Sequence, residues 1–539
     1  MTIAAPGTPG YLESLVNVET GELDRRIFSD DDIFELEMKH IFGRAWLFLC
    51  HETQIPKRGD FFEAPMGRDN VLVVRQRDGS IKAMLNTCTH RGNAVCRAEE
   101  GNVRNFMCTY HGWTFGLDGE LVGVPGMSDF YHDDLDKTKY PLRKVAQLDS
   151  YKGFVFATMD PGAPPLQEFL GRTGRIAIDL LAERGDIEAR PGVQKFTLNC
   201  NWKFAADNSF DYYHPQITHI SAQAVGMIPS AEATDTGGAK TDEGKALGVQ
   251  RLPTDLDTLV AIGEYGHAIS GPSVDSMLRT LPPEMHEVVT WRQEPGPLAE
   301  LGPVGSRFAG HPHIFPTSWF TMDAQLSLRV PRSATVTEVW WFSFRDRNDS
   351  PEEQRAQLGR QIHAFGPAGF LEQEDGENWS QSTLQTFGGT SREIPQLLKM
   401  GLGRGRSSTR TVWPVSRPPS TSTLSCGPIC PGSSGSRAPV GTSCVRQPPP
   451  ATTSEDGGSD GNHASGDSDR SGEDRGDVSA VRGREVLHAR GRAAGPPAVR
   501  GVGGALHRRH FVLHADPSNR PAPQPGQGVH AARRDGLLR

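Results

Sequence analysis

Residues 88 to 113 read CTHRGNAVCRAEEGNVRNFMCTYHGW, with three cysteines and two histidines inside 24 positions. Cys88-x-His90 and Cys108-x-x-His111 each offer one thiolate and one imidazole from a short loop. Structural zinc sites commonly pair like ligands, C-x2-4-C followed by H-x3-5-H. One Cys and one His per loop instead suits a [2Fe–2S] cluster, with one iron on two thiolates and the other on two imidazoles. Neutral imidazoles reduce the negative charge of the cluster and raise its reduction potential. A Cys2His2 zinc site is the alternative. Cys96 is left over and is read as a packed thiol.

Such a cluster only moves electrons, so a second site must receive them. The segment NWKFAADNSFDYYHPQITH, residues 201 to 219, sets His214 and His219 five apart, with Asp211 one turn before His214. A non-haem Fe(II) that activates O2 is held by two His and one carboxylate, leaving positions open for O2 and substrate. Alone, D-x-x-H-x4-H more often marks structural histidines; downstream of the first motif, the reading as ligands is preferred. A carboxylate beside a ligand histidine fixes its orientation and tautomer. That is the role expected of Asp211, a helix-surface acid being the alternative.

The elements that must position these residues are partly readable. Ser29 followed by DDDIFELEMKHIF predicts a capped helix with Asp32 three residues on. VLVVRQRDGSIKAML predicts a hairpin turning at Asp78-Gly79, and further strands lead to GFVFATMDP at 153–161. Then come a strand at KFTLNCNWKF and a helix-compatible segment from Ala205 to about Val225. WFTMDAQLSLRV and TVTEVWWFSF predict long paired antiparallel strands, and Ser350-Pro351-Glu352-Glu353 opens a helix. The fold class is therefore α+β: an N-terminal helical segment (1–39), a small all-β domain (40–162) and an α+β domain (163–406).

Residues 407–539 differ in kind. They contain no Lys, Met or Tyr, and their only aromatics are Trp413 and Phe511. Such a low-complexity tail cannot bury enough apolar area to offset its chain entropy, so disorder is expected. Translation of a GC-rich gene in the wrong frame is preferred to a natural Arg-rich tail as its origin. The pair Cys426 and Cys430 there is not read as a metal site. In the whole chain, 57 Lys+Arg face 65 Asp+Glu, which weighs against nucleic-acid and membrane-surface partners. No apolar run approaches the ~18 residues of a membrane span, and the start lacks a signal-peptide pattern. Eight cysteines in this length are no disulfide framework, so a cytoplasmic, reducing setting is expected.

Together the motifs resemble the large (α) subunit of Rieske non-haem iron ring-hydroxylating oxygenases of the biphenyl, naphthalene and polycyclic-aromatic type. The resemblance covers roughly residues 20 to 406, through RAWLFLCHETQIPKRGDFF, both iron motifs, GHPHIFPTSWF and FGPAGFLEQEDGENW. It implies a Rieske domain ahead of a catalytic domain with a long, helix-grip-like antiparallel sheet. Cys88, His90, Cys108 and His111 would hold the cluster, and His214 and His219 the Fe(II). In the family the third iron ligand is an aspartate in a stretch like EQDDGENW. Here Glu374-Asp375 stands at the acidic pair, so Asp375 is the expected ligand, with Glu374 the fallback as a structural or supporting acid. Asn208 falls near the family's pocket amide, and the stretch with His311 and His313 lines the core sheet. In the family the aspartate at the position of Asp211 also bridges to a Rieske histidine of a neighbouring subunit, so the resemblance implies a homotrimer with electrons crossing the interface.

The implied activity is the terminal oxygenase of an aromatic-ring dioxygenase, yielding a cis-dihydrodiol. Electrons come from NADH through a reductase, with or without a ferredoxin, and a small β subunit often accompanies the family. Alternatives are a Rieske monooxygenase or demethylase, or an inactive product retaining only electron transfer. The family continues past residue 401 with a helical segment that closes the catalytic domain; here the tail replaces it.

Overall fold

A computed structural model describes residues 8, 10–208, 210–212, 214–219, 221–222, 257–400 and 402, and the backbone of the strands Ser407–Ser408 and Thr442–Arg446. Contacts divide the chain into Met1–Glu455 and Asp456–Arg539, and every described residue lies in the first unit.

Near the N-terminus, helix α1 spans Asp31–Glu37 and continues into a π-helical turn, Met38–Phe42. Its cap is Asp30 rather than Ser29. The Asp30 carboxylate accepts from the N–H groups of Asp32 and Ile33 at 3.0 and 3.1 Å, a charge-assisted bond that a serine one position earlier cannot match.

The all-β region is built from β1 (Leu47–His51), β2 (Asp60–Met66), β3 (Asp69–Arg75), β4 (Ile81–Leu85), β5 (Glu100–Asn102), β6 (Phe106–Met107), β7 (Thr114–Phe115), β8 (Leu121–Gly123), β9 (Gln147–Tyr151) and β10 (Phe154–Thr158). They form sheets ordered β4-β3-β2-β5, β8-β7-β6 and β9-β10-β1. The β3–β4 hairpin turns where expected, with Gly79 at φ 86°. Its core of Phe61, Leu72, Val74, Met84, Phe106 and Phe115 closes around Cys88 and Cys108.

Apolar and charged contacts tie this region to the second half of the chain. Phe48 of β1 packs edge-on against Phe342 at 5.4 Å, inside one hydrophobic cluster that both halves share. Lys152, at the β9–β10 turn, reaches Asp179 and Glu183 at 2.8 and 2.5 Å and Glu300 at 3.0 Å. Asp179 and Glu183 lie on and just past helix α2 (Leu166–Ala182).

The second half adds β11 (Ile187–Ala189), β12 (Gln194–Leu198), the short helices α3 (Trp202–Asp207) and α4 (Pro215–Thr218), β13 (Thr258–Ile262), β14 (Ala268–Pro272) and α5 (Pro295–Gly305). Next in the chain are β15 (His311–Ile314), β16 (Ser318–Phe320), β17 (Gln325–Ser333), β18 (Val336–Asp346), α6 (Pro351–Ala364) and α7 (Phe370–Leu384). The sheet runs β11-β18-β17-β16-β15-β14-β13, with β12 also paired to β18. The β17–β18 pair and the Ser350 capping box of α6 match the sequence expectation, but the single strand expected over WFTMDAQLSLRV is broken at 321–324 into β16 and β17, which pair with each other.

Two readings change. The strand expected over KFTLNCNWKF stops at Leu198, because the Asn201 side chain accepts from the Lys203 N–H and starts α3 instead. The helix-compatible segment from Ala205 is two short helices, the second opening on Pro215. In the tail, Ser443–Arg446 pairs antiparallel with Leu259–Ile262. Open N–H and C=O groups on an edge strand accept any extended segment, whatever its side chains. Cys426 and Cys430 lie outside the described residues.

Candidate metal centres

The two Cys/His loops are copies of one turn. The Cys88 N–H donates to the Asn93 carbonyl and the Gly92 N–H to the Cys88 carbonyl, both at 2.8 Å. In the second loop the Cys108 N–H donates to the Trp113 carbonyl at 2.8 Å and the Gly112 N–H to the Cys108 carbonyl at 2.9 Å. Gly92 and Gly112 sit at φ 75° and 73°, a left-handed turn that strains other residues. These turns bury both thiols within hydrogen-bonding reach of one another and bring the His90 and His111 rings to 4.5 Å.

Trp113 stacks on His90 at 4.7 Å, and the Asn93 amide lies 3.6 Å from Cys108 Sγ. Burial opposes ionisation of Cys108, but the Tyr110 N–H, the Asn93 amide and Cys88 outweigh it and lower its pKa. His90 Nδ1 is buried with no hydrogen-bond partner. Thiols are paired with thiols and imidazoles with imidazoles, and the four do not converge on one point as a single ion would require. An orphaned ring nitrogen and donors sorted by type fit a two-iron cluster. Cys96 stands apart, its thiol 3.6 Å from the Ala98 carbonyl.

The second site assembles around α4. His214 precedes Pro215, the first residue of α4, and His219 ends the helix, so one helical turn separates the two rings. Helix α7 brings Asp375 to them: Asp375 Oδ1 lies 3.8 Å from His214 Nε2 and 3.5 Å from His219 Nε2. Donor atoms of His214, His219 and Asp375 all lie within 4.8 Å of one another. The Nδ1 sides of both rings are occupied by acids: Asp211 Oδ1 at 2.6 Å from His214, and Glu374 Oε2 at 2.9 Å from His219. Each imidazole thereby keeps Nε2 toward Asp375. Burial disfavours charge on both rings, yet these carboxylates outweigh it and raise both pKa values. The donor set of two His and one carboxylate fits Fe(II).

Deeper residues lock these elements. Lys203 of α3 is buried against Glu37 at 2.5 Å, and Trp202 Nε1 donates to the same carboxylate at 2.8 Å. Behind Asp375, Glu372 lies buried 3.8 Å from Arg329, whose guanidinium is over the Trp319 and Trp379 rings. Burial pushes the Glu372 carboxyl up to about 7. Sequence reasoning named neither pair, because the partners lie more than 40 positions apart and carry no local signature.

Asn208 Nδ2 lies 3.2 Å from His214 Nε2. His311 and His313 lie on β15, as expected of the core sheet, and are not part of the converging group. His311 Nδ1 faces the Phe320 carbonyl at 3.2 Å, whereas neither nitrogen of His313 has a partner. The other acidic group, Asp179, Glu183 and Glu300, already holds the Lys152 ammonium.

Residues 45–149 match the Rieske [2Fe-2S] domain, and residues 171–385 match the ring hydroxylating alpha subunit (catalytic domain). The chain is 37% identical over 424 residues to the biphenyl dioxygenase subunit alpha of Metapseudomonas furukawaii, covering 74% of this chain and 87% of that protein. It is 36% identical to the biphenyl 2,3-dioxygenase subunit alpha of Rhodococcus jostii (strain RHA1), covering 73% and 84%. Among solved structures, naphthalene 1,2-dioxygenase with indole in the active site superposes with a TM-score of 0.63 at 30% identity, covering 74% of this chain and 88% of that one. Both domain models match in order, and a relative more than a third identical is spanned over most of its length; the chain belongs to the α subunits of Rieske non-haem iron aromatic ring-hydroxylating dioxygenases.

Proposed function

We propose that the chain is the terminal oxygenase component acting on an apolar arene of the biphenyl or naphthalene kind. In this reading Cys88, His90, Cys108 and His111 hold the [2Fe–2S] cluster, and His214, His219 and Asp375 hold Fe(II). The observation that carries it is the convergence of two Nε2 atoms on Asp375 within 4.8 Å, downstream of twin Cys/His turns. When bound, the cluster relays single electrons and the Fe(II) activates O2, so that arene, O2, two electrons and two protons give a cis-dihydrodiol. NADH supplies the electrons through a partner reductase, with or without a ferredoxin.

The chain's own residues bind, orient and insulate. The twin turns present the thiolates in a buried core, where Trp113 and Asn93 shield and hydrogen-bond the site. Asp211 accepts from His214 Nδ1 and fixes the tautomer that leaves Nε2 bare. Asn208 Nδ2 stands 3.2 Å from the Nε2 of the same ring, at the edge of the donor set. The reading extends to a homotrimer in which Asp211 also meets a Rieske histidine of the next subunit, with or without a small β subunit, in the cytoplasm. Among the described residues no helix is long and apolar enough to cross a membrane.

The test is iron and acid-labile sulfide per chain on anaerobically purified protein, followed by turnover of biphenyl or naphthalene under 18O2. Three irons, two sulfides and both labelled atoms in one product are expected. Two irons with two sulfides would leave an electron carrier and remove the Fe(II) ligands. One labelled atom would identify a monooxygenase, and aggregated, metal-poor protein a chain disabled by its tail.

A further inference from the structure

We infer that Glu374 is a positioning residue for His219, so that the Fe(II) site is held by two carboxylate–imidazole pairs. This rests on the ligand set proposed above. Glu374 and Asp375 are adjacent on α7, and neighbouring helical residues project about 100° apart. One short stretch of helix can therefore serve opposite sides of a single ring. Asp375 stands 3.5 Å from His219 Nε2, and Glu374 Oε2 stands 2.9 Å from His219 Nδ1.

The Ser221 hydroxyl donates to the other Glu374 oxygen, so both carboxylate oxygens are engaged and the side chain has one preferred pose. His219 is only 4% exposed, which leaves its ring little room to turn. With the Nδ1 proton given to Glu374, the lone pair on Nε2 is free for the metal. The same geometry argues against Glu374 as the third ligand. It meets His219 on the Nδ1 side, whereas both Nε2 atoms face Asp375.

The arrangement is also asymmetric. Asp211 is three residues from the imidazole it supports, whereas Glu374 is 155 residues from His219. Glu374 thus pins helix α7 to the end of α4 as well as fixing a tautomer.

The experiment uses full-length Glu374→Ala, Glu374→Gln and Glu374→Asp proteins beside the parent. Fe(II) affinity is measured by chelator competition, and the visible spectrum is recorded with Co(II) as the probe metal. The Rieske absorbance reports folding. Parent protein binding one metal ion beyond the cluster upholds the ligand set. Glu374→Ala is then expected to weaken Fe(II) by about 10–100-fold and to alter the Co(II) spectrum, with the Rieske band unchanged. Glu374→Asp should recover most of the affinity, and Glu374→Gln, which keeps an acceptor without charge, should fall between. If the alanine variant loses the Rieske band, the ranking of the Gln and Asp variants decides. Equal affinities and identical Co(II) spectra across the series would overturn the inference while leaving the ligand set intact. A parent protein with no such metal ion would overturn both.

Discussion

The twin Cys/His turns and the α4–α7 site solve the same problem in different ways. In the turns, backbone hydrogen bonds and two left-handed glycines place every donor, and His90 Nδ1 is left without a hydrogen-bond partner, free for a metal. At the α4–α7 site the backbone is irregular, and carboxylates behind the rings aim the imidazoles. A cluster that only exchanges electrons can rely on a rigid local frame. A metal that must also admit O2 and substrate needs ligands held firmly around an open side, and side-chain networks reaching across the fold provide that.

The comparison breaks most sharply at the ligands. Cys108→Ser should abolish the Rieske absorbance and product formation together. Asp375→Ala should keep that absorbance, lower the iron content from three to two per chain, and reduce product formation to background. Iron analysis with visible spectroscopy separates the two.

Acid should distinguish the halves next. Burial lowers the pKa of His51 on β1 to about 4, and that of His267, His311 and His313 in the catalytic half to about 4, about 4 and about 3. A folded-state pKa below the unfolded value means that the unfolded chain binds the proton more tightly. Their neutral-pH stability is therefore complete above about pH 6.5 and declines as pH falls from there toward 4. Once the pH is below both values, the loss is about 3 kcal/mol for His51 or His267 and about 5 kcal/mol for His313. With three such histidines against one, the catalytic half should melt first in thermal scans at pH 7, 6 and 5. His267→Gln should flatten the trend.

Lys152→Met tests the tie between the halves. It leaves Asp179, only 4% exposed, without its cation, and should cost about 3 kcal/mol in chemical denaturation. The twin glycines give a finer contrast. Gly92→Ala adds a methyl in open space and should cost about 1 kcal/mol for its left-handed turn. Gly112→Ala also places a Cβ 2.7 Å from the Pro125 ring and should cost about 2 kcal/mol more, with visible loss of cluster. Smallest of all, Ser350→Ala removes the cap of α6 and should cost about 1 kcal/mol, without affecting either metal.

Legibility in the sequence divides along the same line. The Cys/His turns were legible because every donor and both glycines fall within one short stretch. His214, His219 and Asp211 were legible for the same reason. Asp375 needed the family resemblance, since nothing local says which of two adjacent acids turns toward two distant rings. The supports of Glu37 for Lys203 and of Arg329 for Glu372 left no trace, because each depends on folding that joins remote segments. The strand overrun at KFTLNCNWKF has a plainer cause. Alternation continues past Leu198, and only the capping geometry of Asn201 shows where the backbone changes course.

The separation of Asp375 from the other donors also sets a timetable for the growing chain. Every donor of the Cys/His pair of turns has been synthesised by residue 111, but the third donor of the second site comes 264 residues later. At about 5–20 residues per second, that interval lasts roughly 13–50 s. A nascent N-terminal half can meet its iron–sulfur donor on the ribosome well before a place for the lone iron exists. The two metals can thus be loaded in sequence, by different routes, into a protein that is still being made.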